Sequence, residues 1–103
     1  MSNSVLDEQG DVGLYNAPDG ERWIFRDNVC HGLRMGGAGG ITTLYKEGQG
    51  VPAVRIRAEG RDWVARWEQS KAVAFRHDTR YGLIAKVARR LLQPAACCRR
   101  EQL

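Results

Sequence analysis

At 103 residues the chain has room for one domain with a small core, so no large cofactor pocket and no cofactor is expected. Hydrophobic residues make up 43% and charged residues 27%. No apolar run approaches the roughly 18 residues that would span a bilayer, and the polar start does not read as a signal peptide. A membrane partner is therefore not expected, and the expected compartment is cytoplasmic.

The formal charge of +4 hides an uneven distribution. Residues 1–50 carry Arg22, Arg26, Arg34 and Lys46 against seven acidic residues, a net −3, whereas residues 51–103 carry twelve basic against five acidic, a net +7. Such segregation creates a local positive potential that attracts polyanions or acidic protein surfaces. Arginine outnumbers lysine thirteen to three, and its planar fork suits phosphate and carboxylate alike. The three cysteines, Cys30 and the adjacent Cys97 and Cys98, lack C-x-x-C spacing. They are expected as reduced thiols, and no metal site is expected.

In chain order, residues 1–10 lack periodicity and read as a disordered start. Val12–Tyr15 and Arg22–Arg26 flank Asn16-Ala17-Pro18-Asp19-Gly20, whose Pro-Asp-Gly core presets a turn, so a β-hairpin is expected there with Leu14, Trp23 and Phe25 as its core residues. Met35-Gly36-Gly37-Ala38-Gly39-Gly40 is glycine-rich, but a phosphate loop needs a following helix and a Lys-Ser/Thr pair. The β-branched Ile41–Lys46 follows instead, so a flexible connector is expected, completing an N-terminal unit over residues 12–48.

The basic module spans residues 51–93. Ala53–Arg57 alternates strictly, with Val54 and Ile56 on one side and Arg55 and Arg57 on the other. Glu59-Gly60 turns the chain, Trp63–Trp67 runs back, and Lys71–Arg76 forms a third strand with Val73 and Phe75 facing the core. Ile41–Lys46 could replace Ala53–Arg57 as the first of the three. Asp78 or Thr79 then caps a helix whose Tyr81, Ile84, Ala85, Ala88, Leu91 and Leu92 make one apolar stripe, opposite Lys86, Arg89, Arg90 and Gln93. Pro94 closes it, and residues 94–103 read as a flexible tail.

The expected fold is therefore α+β: a small antiparallel sheet packed on one C-terminal amphipathic helix, preceded by the N-terminal hairpin, in a single domain. The helix covers one sheet face, and the open face projects Arg55, Arg57, Arg66 and Arg76, with a tryptophan reaching its edge. A twisted ribbon of this kind is compatible with the roughly 12 Å major groove of duplex DNA.

The segments Arg55-Ile56-Arg57, Trp63-Val64-Ala65-Arg66, Phe75 and Arg80-Tyr81-Gly82, followed by Ala85–Arg89, resemble the AP2-like DNA-binding domains of plant transcription factors, phage endonucleases and integrase arm-binding domains. The resemblance covers about 43 residues of the C-terminal half. It implies that the sheet enters the major groove and that Arg55, Arg57, Trp63 and Arg66 contact bases or backbone.

The expected function is a small DNA-binding protein, phage or mobile-element encoded, whose partner is double-stranded DNA met by Arg55, Arg57, Trp63, Arg66, Lys71 and Arg76. The alternative is an inhibitor or interaction module of the anti-CRISPR type, whose basic face occupies an acidic protein surface with Trp63 and Trp67 as anchors. Catalysis is not expected: His31 and His77 lack a matched nucleophile or carboxylate spacing, and Cys30 beside His31 is unorganised as a pair.

Overall fold

The structure, a computed structural model, describes residues 3–5 (backbone), 10–27 and 29–93. Eight strands run in sequence order across one antiparallel sheet: β1 (Asn3–Val5), β2 (Val12–Asn16), β3 (Arg22–Arg26), β4 (Leu33–Gly36), β5 (Thr42–Lys46), β6 (Val54–Glu59), β7 (Asp62–Trp67) and β8 (Val73–His77). One helix, α1 (Arg80–Leu91), follows. The α+β class and the packing of one C-terminal helix on the sheet are those expected.

The hairpin β2–β3 forms as its turn chemistry dictates. Gly20, at φ +91°, closes the turn, and its amide donates to the Ala17 carbonyl. The glycine-rich stretch is not a free connector: Met35 and Gly36 belong to β4, and the remaining glycines make the tight turn into β5. Gly37 sits at φ +104°, and a Cβ there would lie 2.2 Å from the Ile41 carbonyl oxygen, so no side chain fits. β5 and β6 are both present and adjacent, so Ile41–Lys46 extends the sheet and does not displace Ala53–Arg57. Asn3–Val5, expected as disordered, pairs with β2.

Cross-strand register assigns the faces. Val12, Leu14, Ile24, Leu33, Met35, Leu44, Val54, Ile56 and Ala65 share the inner face and form one core with Leu83, Ile84, Ala85, Val87, Ala88 and Leu92 of the helix region. Each fully buried Ile or Leu in such a cluster contributes roughly 1.5–3 kcal/mol. Tyr81, expected in the stripe, is 45% exposed, and Leu83 and Val87 take its share of the packing.

The helix touches both β7–β8 and β2–β3. Strands about 4.8 Å apart would place β2 and β8 nearly 30 Å from each other in a flat sheet, whereas a twelve-residue helix is only about 18 Å long, so the sheet curls around it. The inner face is therefore concave and filled, and no element among the described residues packs on the convex outer face.

Both helix ends are fastened. Thr79 is the N-cap, its hydroxyl accepting from the Gly82 amide at 3.1 Å. His77 packs over the same turn so closely that a Cβ on Gly82 would lie 2.3 Å from its ring. At the other end Arg26 donates to the Arg89 and Leu92 carbonyls at 3.1 and 2.9 Å, supplying partners that a helix C-terminus otherwise lacks. Asp11 lies between the Arg26 and Arg89 guanidiniums and joins β2, β3 and α1.

Cys30 is disulfide-bonded, which corrects the expectation of three reduced thiols. Cys97, Cys98, Pro94 and the basic tail lie outside the described residues. No helix among the described residues is long and apolar enough to cross a membrane.

Candidate nucleic-acid interface

Alternation along β6 and β7 brings Arg55, Arg57 and Glu59 onto the convex face with Val64 and Arg66, and β8 adds Arg76. Arg55 lies directly opposite Arg66, and Val64 stands between Arg57 and Arg76. Val64 is fully buried yet belongs to no part of the inner core. The aliphatic stems around it provide cover while their charged heads remain in water.

These arginines differ in how free they are. Arg66 forks onto Glu59 with two hydrogen bonds of 2.9 Å, and its Nη1 donates to the Lys71 carbonyl. Arg55 reaches Glu68, which also lies 3.7 Å from Lys71 Nζ. The Arg66 hydrogen bonds hold the Glu59 carboxyl below the usual carboxylate range against a smaller desolvation effect, and the charges of Arg66, Arg57 and Arg76 act in the same direction. Glu68 is lowered in the same way, chiefly by the hydrogen bond from Arg55. Arg57 and Arg76 form no salt bridge among the described residues. Of the four arginines on this face they are the two whose charge no carboxylate among the described residues neutralises. Asp62, paired with Glu59 at the hairpin end, bounds the patch on one side.

Two expected features lie elsewhere. Trp63 is opposite Ala58 and His77 on the inner side and packs against the core, as does Trp67, so Trp63 does not join the arginine face. Its strand position has the parity of Ala65, not of Arg66. Val73, expected in the core, pairs with Arg66 on the outer face and is 39% exposed. A bulge near Ala74 inserts one residue, so Val73 and Phe75 no longer share a side. Phe75 keeps its core contact.

The convex face also carries an aromatic row, and Trp23 and Phe25, expected in the hairpin core, belong to this face instead. Tyr15, Trp23, Arg34 and Tyr45 lie opposite one another across β2 to β5. Arg34 stacks 4.0 Å over the Tyr45 ring, Phe25 meets Trp23 in a stacked arrangement, and it meets Tyr15 edge-on. Phe25 is 40% exposed. The signal for this face was the position of Ile24 between Trp23 and Phe25, since only one parity of β3 can face the core. With that parity Arg22 and Arg26 also lie on the inner side.

No protein-family model, curated protein or solved structure matches the chain. The residues themselves therefore carry the functional argument. Among the described residues no group of three or more His, Cys, Asp or Glu is placed to hold a metal ion.

Proposed function

We propose that this protein binds DNA through its convex sheet face, with Arg57 and Arg76 as the principal phosphate or base contacts and Arg55, Arg66 and Lys71 supporting them. The carrying observation is the presence of two arginines without salt-bridge partners on an uncovered face, flanking Val64 on adjacent strands. A convex two- or three-stranded ribbon is the shape that a major groove admits, and arginine forks can read guanine or grip phosphate there. The order β6, β7, β8, α1 is the order of three strands and a helix on which the AP2-like resemblance rests, here within an eight-stranded sheet. Trp63 has no part in this contact. Glu59 and Glu68 keep Arg55 and Arg66 extended and positioned, at the cost of part of their charge.

The test is fluorescence anisotropy with a labelled duplex across about 50–200 mM salt. Binding should be tighter than micromolar at the low end and weaken steeply with salt, because each neutralised phosphate releases counterion. Arg57→Ala should weaken it and flatten the slope. Micromolar or weaker affinity that is insensitive to Arg57→Ala would exclude the reading.

A second reading rests on a different surface. An open groove of about 550 Å³ is lined by Lys46, Gln49, Val51, Pro52, Trp67 and Glu68 among others, and Val51 is 63% exposed. A tryptophan-floored groove beside a basic face suits a protein partner, as an inhibitor of the anti-CRISPR type requires. Recovery of one discrete protein from nuclease-treated host lysate, lost on Val51→Glu and retained on Arg57→Ala, favours this reading over DNA.

A further inference from the structure

At the end of the curled sheet where α1 begins, a cleft of about 190 Å³ is lined by Arg22, Thr42, Trp63, Arg80 and, from the β4–β5 turn, Gly36, Gly37, Ala38, Gly40 and Ile41. It lies on the side opposite the convex face, and its residues come from β3, the β4–β5 turn, β5, β7 and α1. No carboxylate among the described residues lines it.

Neither arginine of this cleft meets a carboxylate among the described residues, a property they share with Arg57 and Arg76 of the convex face. Arg26, Arg55, Arg66 and Arg89 each meet a carboxylate, and Arg34 lies on an aromatic ring. Arg22 has no salt bridge or side-chain hydrogen bond among the described residues, although it is only partly exposed. Arg80 directs Nε and Nη2 at one neutral acceptor, the Thr42 hydroxyl, at 3.1 and 2.9 Å. Its guanidinium also lies 5.2 Å over the Tyr81 ring, it has no carboxylate partner among the described residues, and Nη1 is left to donate elsewhere. Two partly desolvated guanidiniums that share a cleft without an anion have a strong electrostatic preference for one.

The remaining walls limit which anion fits. Gly37 and Gly40 both have positive φ, so the turn presents backbone with no side chain in the way. Such a surface permits close approach of oxygen atoms to main-chain amides. Trp63 adds a flat apolar wall. The volume falls short of the roughly 300 Å³ at which small-molecule sites usually begin. A phosphoryl group with a small attached moiety fits that size; a dinucleotide cofactor does not.

We propose that this cleft binds a phosphate monoester, with Arg22 and Arg80 on the phosphoryl oxygens and Trp63 against the attached group. The chemistry is shared by a free mononucleotide and by the phosphorylated end of a nucleic-acid strand. The site is separate from the convex face and does not depend on the reading given to that face.

The test is a two-dimensional NMR titration of the full chain with inorganic phosphate, a nucleoside 5′-monophosphate and the parent nucleoside, together with 5′-phosphorylated and 5′-hydroxyl forms of one oligonucleotide. Phosphate and the monophosphate should shift the Gly37 and Gly40 amides and the Trp63 indole, while the nucleoside leaves them in place. Arg22→Met, which removes no contact seen in the fold, should weaken the monophosphate at least tenfold without altering the rest of the spectrum, and Arg22→Lys should recover part of that loss. A preference for the 5′-phosphorylated oligonucleotide that disappears in Arg22→Met identifies the strand end as the source, and a preference for the mononucleotide alone identifies the free ester. Equal shifts from nucleoside and monophosphate, unchanged binding in Arg22→Met, or phosphate shifts confined to the Arg55–Arg76 face would each overturn the proposal. Loss of duplex binding by Arg57→Ala with cleft binding intact would leave the two sites independent.

Discussion

Asp11→Asn is the substitution on which the curled architecture makes its sharpest demand. The carboxylate meets Arg26 Nε at 3.4 Å through Oδ2, and Arg89 Nε and Nη2 at 3.3 and 3.2 Å through Oδ1. All three side chains are only about a quarter exposed, at 25%, 21% and 27%. Asparagine keeps the shape but removes an anion from between two guanidiniums and turns an amide donor toward them. Hydrogen bonds to charged groups contribute about 1.5–3 kcal/mol each, and partial exposure discounts that figure, so a loss of roughly 2 kcal/mol is expected. In a domain of about this size each kcal/mol moves Tm by roughly 4–8 °C, giving a fall of about 8–16 °C. Thermal and urea unfolding followed by circular dichroism measure it, with Glu21→Gln in the exposed turn as the control expected within about 0.5 kcal/mol. A double-mutant cycle with Arg89→Met should show coupling above about 0.5 kcal/mol. A Tm change below about 2 °C, or strict additivity with Arg89→Met, would refute the claim that this pair fastens the helix to β2 and β3.

Three further outcomes follow from the same contacts. Gly82→Ala should destabilise by about 1–3 kcal/mol despite the better helix propensity of alanine, because the new methyl meets the His77 ring and the Thr79 hydroxyl; a more stable variant in urea would contradict this. Glu59 and Glu68 have folded-state pKa values below the ordinary 4.5, so their stabilising contribution is complete above that value and is lost as pH falls through the lower folded values. The variant carrying both Glu59→Gln and Glu68→Gln should therefore show a flatter stability profile below about pH 4.5, and an unchanged acid limb would dismiss the pairs. Glu59→Gln also releases Arg66, so duplex affinity should rise and the salt slope steepen by up to about 0.9, the value for one added phosphate contact; weaker binding would show that Glu59 matters as a positioner more than as a neutraliser.

How much of this was legible in the sequence depended on how local the deciding physics was. Pro18-Asp19-Gly20 and Thr79 act through their own backbone neighbours, and both the hairpin and the helix start fall where those residues put them. Strict alternation at Val54–Arg57 likewise assigned the arginine face without help from the rest of the chain. The errors arose where distant groups decide. Arg26 points inward because the helix C-terminus and Asp11 receive it, contacts 63 and 15 residues away, and that reversal sends Trp23 and Phe25 outward. Val73 is turned out by a one-residue bulge that no composition signal marks. β4 was hidden because Leu33–Gly36 is short and runs into glycines, and only pairing on both edges makes it a strand. Trp63 was placed on the contact face through the family resemblance, whereas its parity along β7, shared with Ala65, already assigned it to the helix side.

The central claim, that the convex face of β6–β8 meets DNA, is tested most directly by titrating a short duplex into the isotopically labelled protein and mapping amide and arginine Nε–H shifts. The account predicts shifts concentrated at Arg55, Arg57, Arg66 and Arg76, with the exposed helix residues Lys86 and Arg90 silent, and their collapse in a variant carrying both Arg57→Ala and Arg76→Ala. Shifts centred on Lys86 and Arg90, with the convex face unmoved, would contradict it.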